Sequence, residues 1–341
     1  MSSTHRWSVT IAAGLACVWL LTLISLNRNW PDFSFMTALD WSSFKLLFIG
    51  ILLEAVPFML LGVTVSAFLH LTVTEEMVRR WIPKKPIPGI LFACSLGLLF
   101  PLCECGMIPI VRRLMRKGMP AYIAVVFILV GPILNPVVFA STYIAFRTEP
   151  VLAYARMGLA FLVALGIGLL LHRFVRTNPL RYHATQLSAS TALSSQLTFS
   201  SSQPYLERGS SLLAHASDEF FEMGKYLILG AAMTAWIQTA FSPESLFSIG
   251  QGAWSSHLFM MGLAYMLSLC STSDAFVVSA FDATFLKGSL LTFLVFGPML
   301  DFKNTLMLLA VFRTKFVLLL SLLVIGFVLT GSKLLELYFG L

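Results

Sequence analysis

Seven stretches of this 341-residue chain are unbroken apolar runs long enough to cross a bilayer, at 7–27, 45–70, 119–146, 151–172, 218–241, 286–312 and 315–339. A spanning helix needs about 20 such residues. Within the hydrocarbon core every backbone N–H and C=O must find its partner inside the protein, which leaves only helices and closed barrels. The runs here are continuous rather than alternating, so the pattern predicts helices and not a barrel. Composition agrees: 57% of residues are hydrophobic and 11% charged, against about 25% charged in a soluble domain. Mean hydropathy is +0.84. A soluble enzyme, a nucleic-acid module and a disordered chain are excluded. The bulk partner is the lipid bilayer, and the net charge of +7 reads as Lys and Arg in cytoplasmic loops, not as a nucleic-acid surface. The first run, 7–27, exceeds a signal-peptide core and lacks a small-residue cleavage site, so it is read as a first spanning helix. Four of the five cysteines lie in or beside apolar stretches, which speaks against a disulfide framework.

Two further apolar stretches, 88–116 and 255–285, are interrupted by small and polar residues. The segment 177–210 is rich in Ser, Thr and Gln and reads as a flexible cytoplasmic loop between two halves. The expected division is 1–44 as an N-terminal spanning helix and linker, 45–176 as a first membrane repeat, and 211–341 as a second. Three landmarks support the repeat. Glu54 and Gly62 match Glu222 and Gly230 in spacing, Cys103 aligns with Cys270, and Gly131-Pro132 with Asn135 aligns with Gly297-Pro298 with Asp301. The alternative is that membrane helices simply reuse few residue types. Basic clusters at Arg79–Lys85 and Arg112–Lys117 flank 88–116 and would face the same side only if that stretch is re-entrant. That places the N-terminus in the cytoplasm and inverts the second half. The expected fold is an all-α polytopic membrane protein of two inverted repeats, with broken or re-entrant helices meeting near the midplane, a transporter architecture.

The candidate site begins with Pro101, Cys103, Glu104, Cys105 and Gly106 at the first break, where Pro and Gly are expected to end the helix. Two thiols and a carboxylate on one turn offer soft and hard ligands; the plainer reading is two small buried cysteines beside a snorkelling acid. The second break carries Cys270, Ser271, Thr272, Ser273 and Asp274. Its hydroxyls could merely bond to helix carbonyls, but an intramembrane acid is costly and usually functional. Gly131, Pro132, Gly297 and Pro298 are hinge candidates, with Asn135, Asp301 and Lys303 as the polar groups beside them; Asp301 and Lys303 could instead be a neutralising pair. Glu54 has no local cation and should find a distant partner or sit neutral. Glu222 is spaced to pair with Lys225 on one helix face. Arg156, near a helix end, is expected to snorkel. The histidines show no ligand spacing. No Walker motif, dinucleotide fingerprint or Ser-centred elbow is present, so no cofactor is expected and an ATP-driven pump would need a partner chain.

At these residues the chain resembles the ArsP-like and YraQ-like permeases. Pro-x-Cys-x-Cys-Gly at 101–106, Gly-Pro-x-x-Asn-Pro at 131–136, Cys-Ser-Thr-Ser-Asp-Ala-Phe at 270–276 and Gly-Pro-Met-x-Asp-x-Lys-Asn at 297–304 occur in the family's order. The resemblance implies a bacterial inner-membrane permease, with Cys103, Cys105 and Cys270 as thiol ligands; the best-described activity of the family is efflux of trivalent organoarsenicals. The leading expectation is a secondary transporter exporting a small thiophilic or metalloid solute, with proton coupling through Glu54, Glu104, Glu222, Asp274, Asp301 or Lys303. The alternatives are a permease for another small solute or a metal ion, and, from a different class, a membrane thiol oxidoreductase using Cys103 and Cys105. A homo-oligomer is left open.

Overall fold

The computed structural model describes residues 41–339 apart from 73, 84, 100–102, 176–178, 181–204, 241–253 and 283. The expected first spanning helix at 7–27, Pro101 and most of the 177–210 segment therefore lie outside the described residues. Thirteen helices are present among those described. They are α1 (Trp41–Thr72), α2 (Glu75–Trp81), α3 (Pro86–Leu99), α4 (Glu104–Arg116), α5 (Ala121–Val130), α6 (Pro136–Ala145), α7 (Val151–Phe174), α8 (Tyr205–Ala240), α9 (Ser255–Leu267), α10 (Asp274–Ser279), α11 (Lys287–Met299), α12 (Phe302–Val311) and α13 (Thr314–Phe339). All belong to one unit running from Ser42 to Leu341, save for Trp41, which closes a separate unit of residues 1–41. The tail of the expected loop is helical, because α8 begins at Tyr205.

Four segments are long and apolar enough to cross a membrane: Trp41–Leu69, Val151–Phe174, Lys287–Val311 and Thr314–Tyr338. The chain is an all-α, multi-pass membrane protein. The run 119–146 is not one span. Gly131 and Pro132 turn the chain, and Asn135 starts a new helix by accepting a hydrogen bond from the Val137 N–H (2.9 Å) ahead of Pro136 in the first turn. The run 286–312 is divided in the same way. Asp301 caps α12 through a short bond from the Asn304 N–H (2.5 Å). Asn135 and Asp301, the aligned polar residues of the two Gly-Pro segments, are thus both N-caps. Gly297 and Pro298 lie in the last turn of α11, before the break and not in it.

The two halves share a plan. Each has a long first helix, two short helices at a break, two more at a second break, and a long last helix. Within each half the same pairs pack: α3 on α5 and α9 on α11, α5 on α7 and α11 on α13, α4 on α5 and α10 on α11, α6 on α7 and α12 on α13. Between halves the packing is reciprocal, α4 against α12 and α10 against α6. At the centre, α5 from Tyr122 to Val130 and α11 from Gly288 to Met299 are buried on every side. α5 is apolar all round, as an enclosed helix must be, and α11 is apolar but for Ser289 and Thr292. Thr292 is bonded: His257 on α9 contacts its Oγ1 through Nδ1 and Glu336 Oε2 through Nε2, both at 2.7 Å, tying α9 to α11 and α13. Nothing in the spacing of the histidines singles out His257.

Candidate functional site

The first break ends at Cys103, whose extended backbone (φ −75°, ψ 169°) makes it the N-cap of α4. Its side chain makes no capping bond. The thiol is free, as are those of Cys94, Cys105 and Cys270. Cys105, one residue into the turn, lies within hydrogen-bonding reach of Cys103. Gly106 does not break the helix. It sits inside α4, where an added Cβ would meet the Phe58 carbonyl oxygen at 2.8 Å. Gly62 faces it, and a Cβ there would fall 2.3 Å from the Gly106 oxygen. The two glycines let the backbones of α1 and α4 touch, the use of small residues expected where helices approach closely in a membrane.

The second break is built differently. α9 ends at Ser268, the one non-glycine residue with positive φ (49°) among those described. Such a conformation is strained for a residue with a Cβ, and it is held by the Ser268 hydroxyl donating to Asp301 Oδ2 at 2.6 Å. Cys270 follows. The Thr272 hydroxyl approaches the Cys270 sulfur (3.6 Å), and the Ser273 hydroxyl donates to the Cys270 carbonyl (3.1 Å). The Ser273 hydroxyl is therefore spent on local backbone, whereas Thr272, for which the plainer reading expected a backbone bond, turns to the Cys270 sulfur.

The two tips meet. Cys103, Glu104 and Cys105 from the first, Cys270 from the second, Lys303 from α12, and Ile51, Glu54, Ala55 and Phe58 from α1 line one cleft. Asp301 adjoins it, with Oδ2 3.9 Å from Lys303 Nζ. The free space is about 10 Å³, room for about one water. Glu104 is buried, and its Oε1 has no hydrogen-bond partner among the described residues; neither has either amide atom of the buried Asn304. Native interiors rarely leave such atoms unpaired, so each calls for an explanation. The same residues do not form a ready metal centre: no three His, Cys, Asp or Glu side chains among those described converge closely enough to hold an ion.

Other expected site residues lie elsewhere. Asn135 opens on a separate cavity of about 410 Å³, with Cys94, Ser95 and Met157. Ser271 is buried, and its carbonyl accepts from Arg156 Nη2 at 3.2 Å. Asp274 is fully engaged by Arg156, at 2.6 Å from Nη2 to Oδ2 and 3.1 Å from Nη1 to Oδ1. Arg156 also donates to the Thr142 hydroxyl (2.7 Å). Arg156 does not snorkel. It is wholly enclosed, five residues into α7, too far in for its guanidinium to leave. The rule that an intramembrane charge seeks a partner, applied to the cation as it was to the acids, would have joined Arg156 to one of them. Glu222 likewise pairs with Arg112 on α4 (2.7 and 3.0 Å), not with Lys225, which lies 5.2 Å from the Tyr226 ring. Beside it Arg113 reaches Glu219 (3.3 Å), whose Oε2 also accepts from Ser66 (3.0 Å). These bonds tie the far end of α4 to α8 and α1.

Comparison with known proteins agrees with this architecture. Residues 40–337 match a family described as a predicted permease, the ArsP family. The UPF0718 protein YcgR of Bacillus subtilis is 46% identical over 290 residues, 85% of this chain and 96% of its own length. A protein of Streptococcus mutans, named as a candidate subunit of a two-component membrane permease complex, is 38% identical over 272 residues, 80% of this chain and 88% of its own. No solved structure matches. With the match running through both halves and all of the cleft, the chain belongs to the ArsP family of predicted permeases.

Proposed function

We propose that this membrane permease is a secondary transporter that exports a small thiophilic solute, such as a trivalent organoarsenical, through the cleft between the two tips. The observation that carries the reading is the convergence of three free thiols from two separate breaks on one space. An organoarsenical with two hydroxyls reacts with two cysteine thiols to give two As–S bonds and release two waters, with no change of oxidation state. A third thiol allows the solute to be passed on by exchange. Soft sulfur favours such a solute over a hard ion. Glu104, with an unpartnered oxygen, and Glu54 on the facing wall are the coupling groups in this reading, and Lys303 supplies a countercharge beside them. Asp274 and Glu222, held by arginines, serve as anchors. The room for about one water means that the tips must part to admit a solute, and alternating access by two inverted repeats would part them. In this reading the chain sits in the bacterial inner membrane with a cytoplasmic N-terminus, as the basic loop clusters suggest. The name of the Streptococcus relative supports a second subunit as partner.

The test is uptake into everted vesicles of a trivalent methyl arsenical, antimonite and soft metal ions, with and without a proton gradient. Gradient-dependent uptake of the arsenical is expected. It should fall strongly in Cys103→Ser and Cys105→Ser, less in Cys270→Ser, at unchanged expression. Full transport by the triple Ser variant would sink the thiol-ligand reading, leaving a permease selecting by shape and by the polar groups near the tips. Uptake of metal ions alone would favour the second reading, a permease for another solute.

A further inference from the structure

A third cavity, of about 180 Å³ and walled wholly by apolar side chains, lies away from the thiol cleft, where α1, α2, α3, α4 and α5 come together. Its walls include Val65 and Leu69 of α1, Val78 and Trp81 of α2, Leu96 of α3 and Phe127 of α5. The seven-residue α2 is what closes it. Thr74 starts that helix by accepting from the Met77 N–H (3.3 Å). Met77, Val78, Trp81 and the following Ile82 then fall on one face and line the cavity, while Glu76 and Arg80 are exposed. A short helix with an apolar face and a charged face lies in the plane of a membrane surface, and the largely exposed Trp81 suits that depth.

The rim is basic. Lys117 donates from Nζ to the carbonyl of Leu69, a wall residue, at 2.8 Å. Arg80 is next to Trp81 in sequence and Lys85 three residues after Ile82, and both are exposed. The acids of α2, Glu75 and Glu76, are confined to its first turn. We propose that this cavity takes an acyl chain of an anionic phospholipid, whose headgroup is held by Arg80, Lys85 and Lys117. An apolar hollow opening at the level of the headgroups fits a lipid tail, and a ring of basic side chains there selects anionic heads, each charge being worth about 1 kcal/mol or roughly fivefold. The proposal is independent of what the thiol cleft carries.

The full chain, reconstituted in phosphatidylcholine bilayers, supplies the test. A few mole percent of the host lipid is replaced by phosphatidylglycerol or phosphatidylcholine with brominated tails. The fluorescence difference between the native chain and Trp81→Phe isolates Trp81. Brominated phosphatidylglycerol should quench Trp81 several-fold more than the same fraction of brominated phosphatidylcholine. Arg80→Gln with Lys85→Gln should remove most of that preference, leaving the two lipids close to equal. Filling the hollow, by Val65→Phe or separately by Val78→Phe, should abolish it. Equal quenching by both lipids overturns the selectivity and leaves ordinary boundary lipid. Quenching by neither means that no lipid tail enters the hollow, and overturns the site. An undiminished preference in both filled variants would place the lipid on the surface outside the cavity.

Discussion

The two tips occupy equivalent places in the two halves and use their acids in opposite ways. At the first, Glu104 is buried beside the cleft with one oxygen unpartnered. At the second, Asp274 is buried and clamped by both terminal nitrogens of Arg156. The backbone plan repeats, and the polar chemistry does not. One tip keeps an acid that can change its partner; the other spends its acid on fixing a loop.

The contrast can be broken most severely at Arg156. Arg156→Met leaves Asp274 charged and alone in the interior, which costs about 3–5 kcal/mol. The variant should show a large drop in thermal unfolding temperature in detergent, and Asp274→Leu added to it should restore most of the loss. Glu104→Gln, which alters an acid with one oxygen already unpartnered, should unfold close to the native temperature. Equal destabilisation by the two single substitutions would mean that the tips are not divided in this way.

A smaller effect separates the two aligned glycines. Gly62→Ala drives a Cβ into the backbone of Gly106, which cannot swing aside, and should cost roughly 1–3 kcal/mol. Gly230→Ala meets Lys303 at 3.2 Å for Cα and 3.4 Å for Cβ and Cγ, and should cost under about 1 kcal/mol. Chemical denaturation of the two variants in the same detergent gives the comparison, and the reverse order would show that α8 on α12 is the tighter crossing.

The smallest effect belongs to the ion pairs at the far end of α4. Glu222 is about a third exposed, so breaking its bonds to Arg112 by Glu222→Gln should cost only about 1 kcal/mol. Its use is as a tether, and the informative readout is access: thiol labelling of Cys103 by a membrane-permeant maleimide should be faster in Glu222→Gln if α4 moves more freely. Unchanged labelling would assign the pairs to stability alone.

Much of this was legible in the sequence. The long runs at 45–70, 151–172 and 315–339 and the interruption of 88–116 and 255–285 followed from hydrophobic length and composition, which act locally, and the meeting of Cys103, Cys105 and Cys270 from pairing the two halves. The N-caps were legible in principle, since Asn135-Pro136 and an acid three residues before Asn304 are helix-start signals. The partners of Arg156 and Glu222 were not legible, because they come from helices 118 and 110 residues away in sequence. Spacing on a single helix face says nothing about which helix will lie opposite. Gly106 was misjudged for a related reason: a glycine reads as a breaker in isolation, and only the approach of Gly62 reveals that it makes room.

The enclosure of α5 has a consequence for how the chain is made. At ten residues α5 and α6 are each too short to cross a bilayer alone, so neither can be released sideways from the translocon as a finished span. The wall around α5 includes α11, which lies in the other half of the chain. The first half therefore leaves the ribosome with its interior open on one side, and it must wait in the membrane, unsealed, until the second half is synthesised.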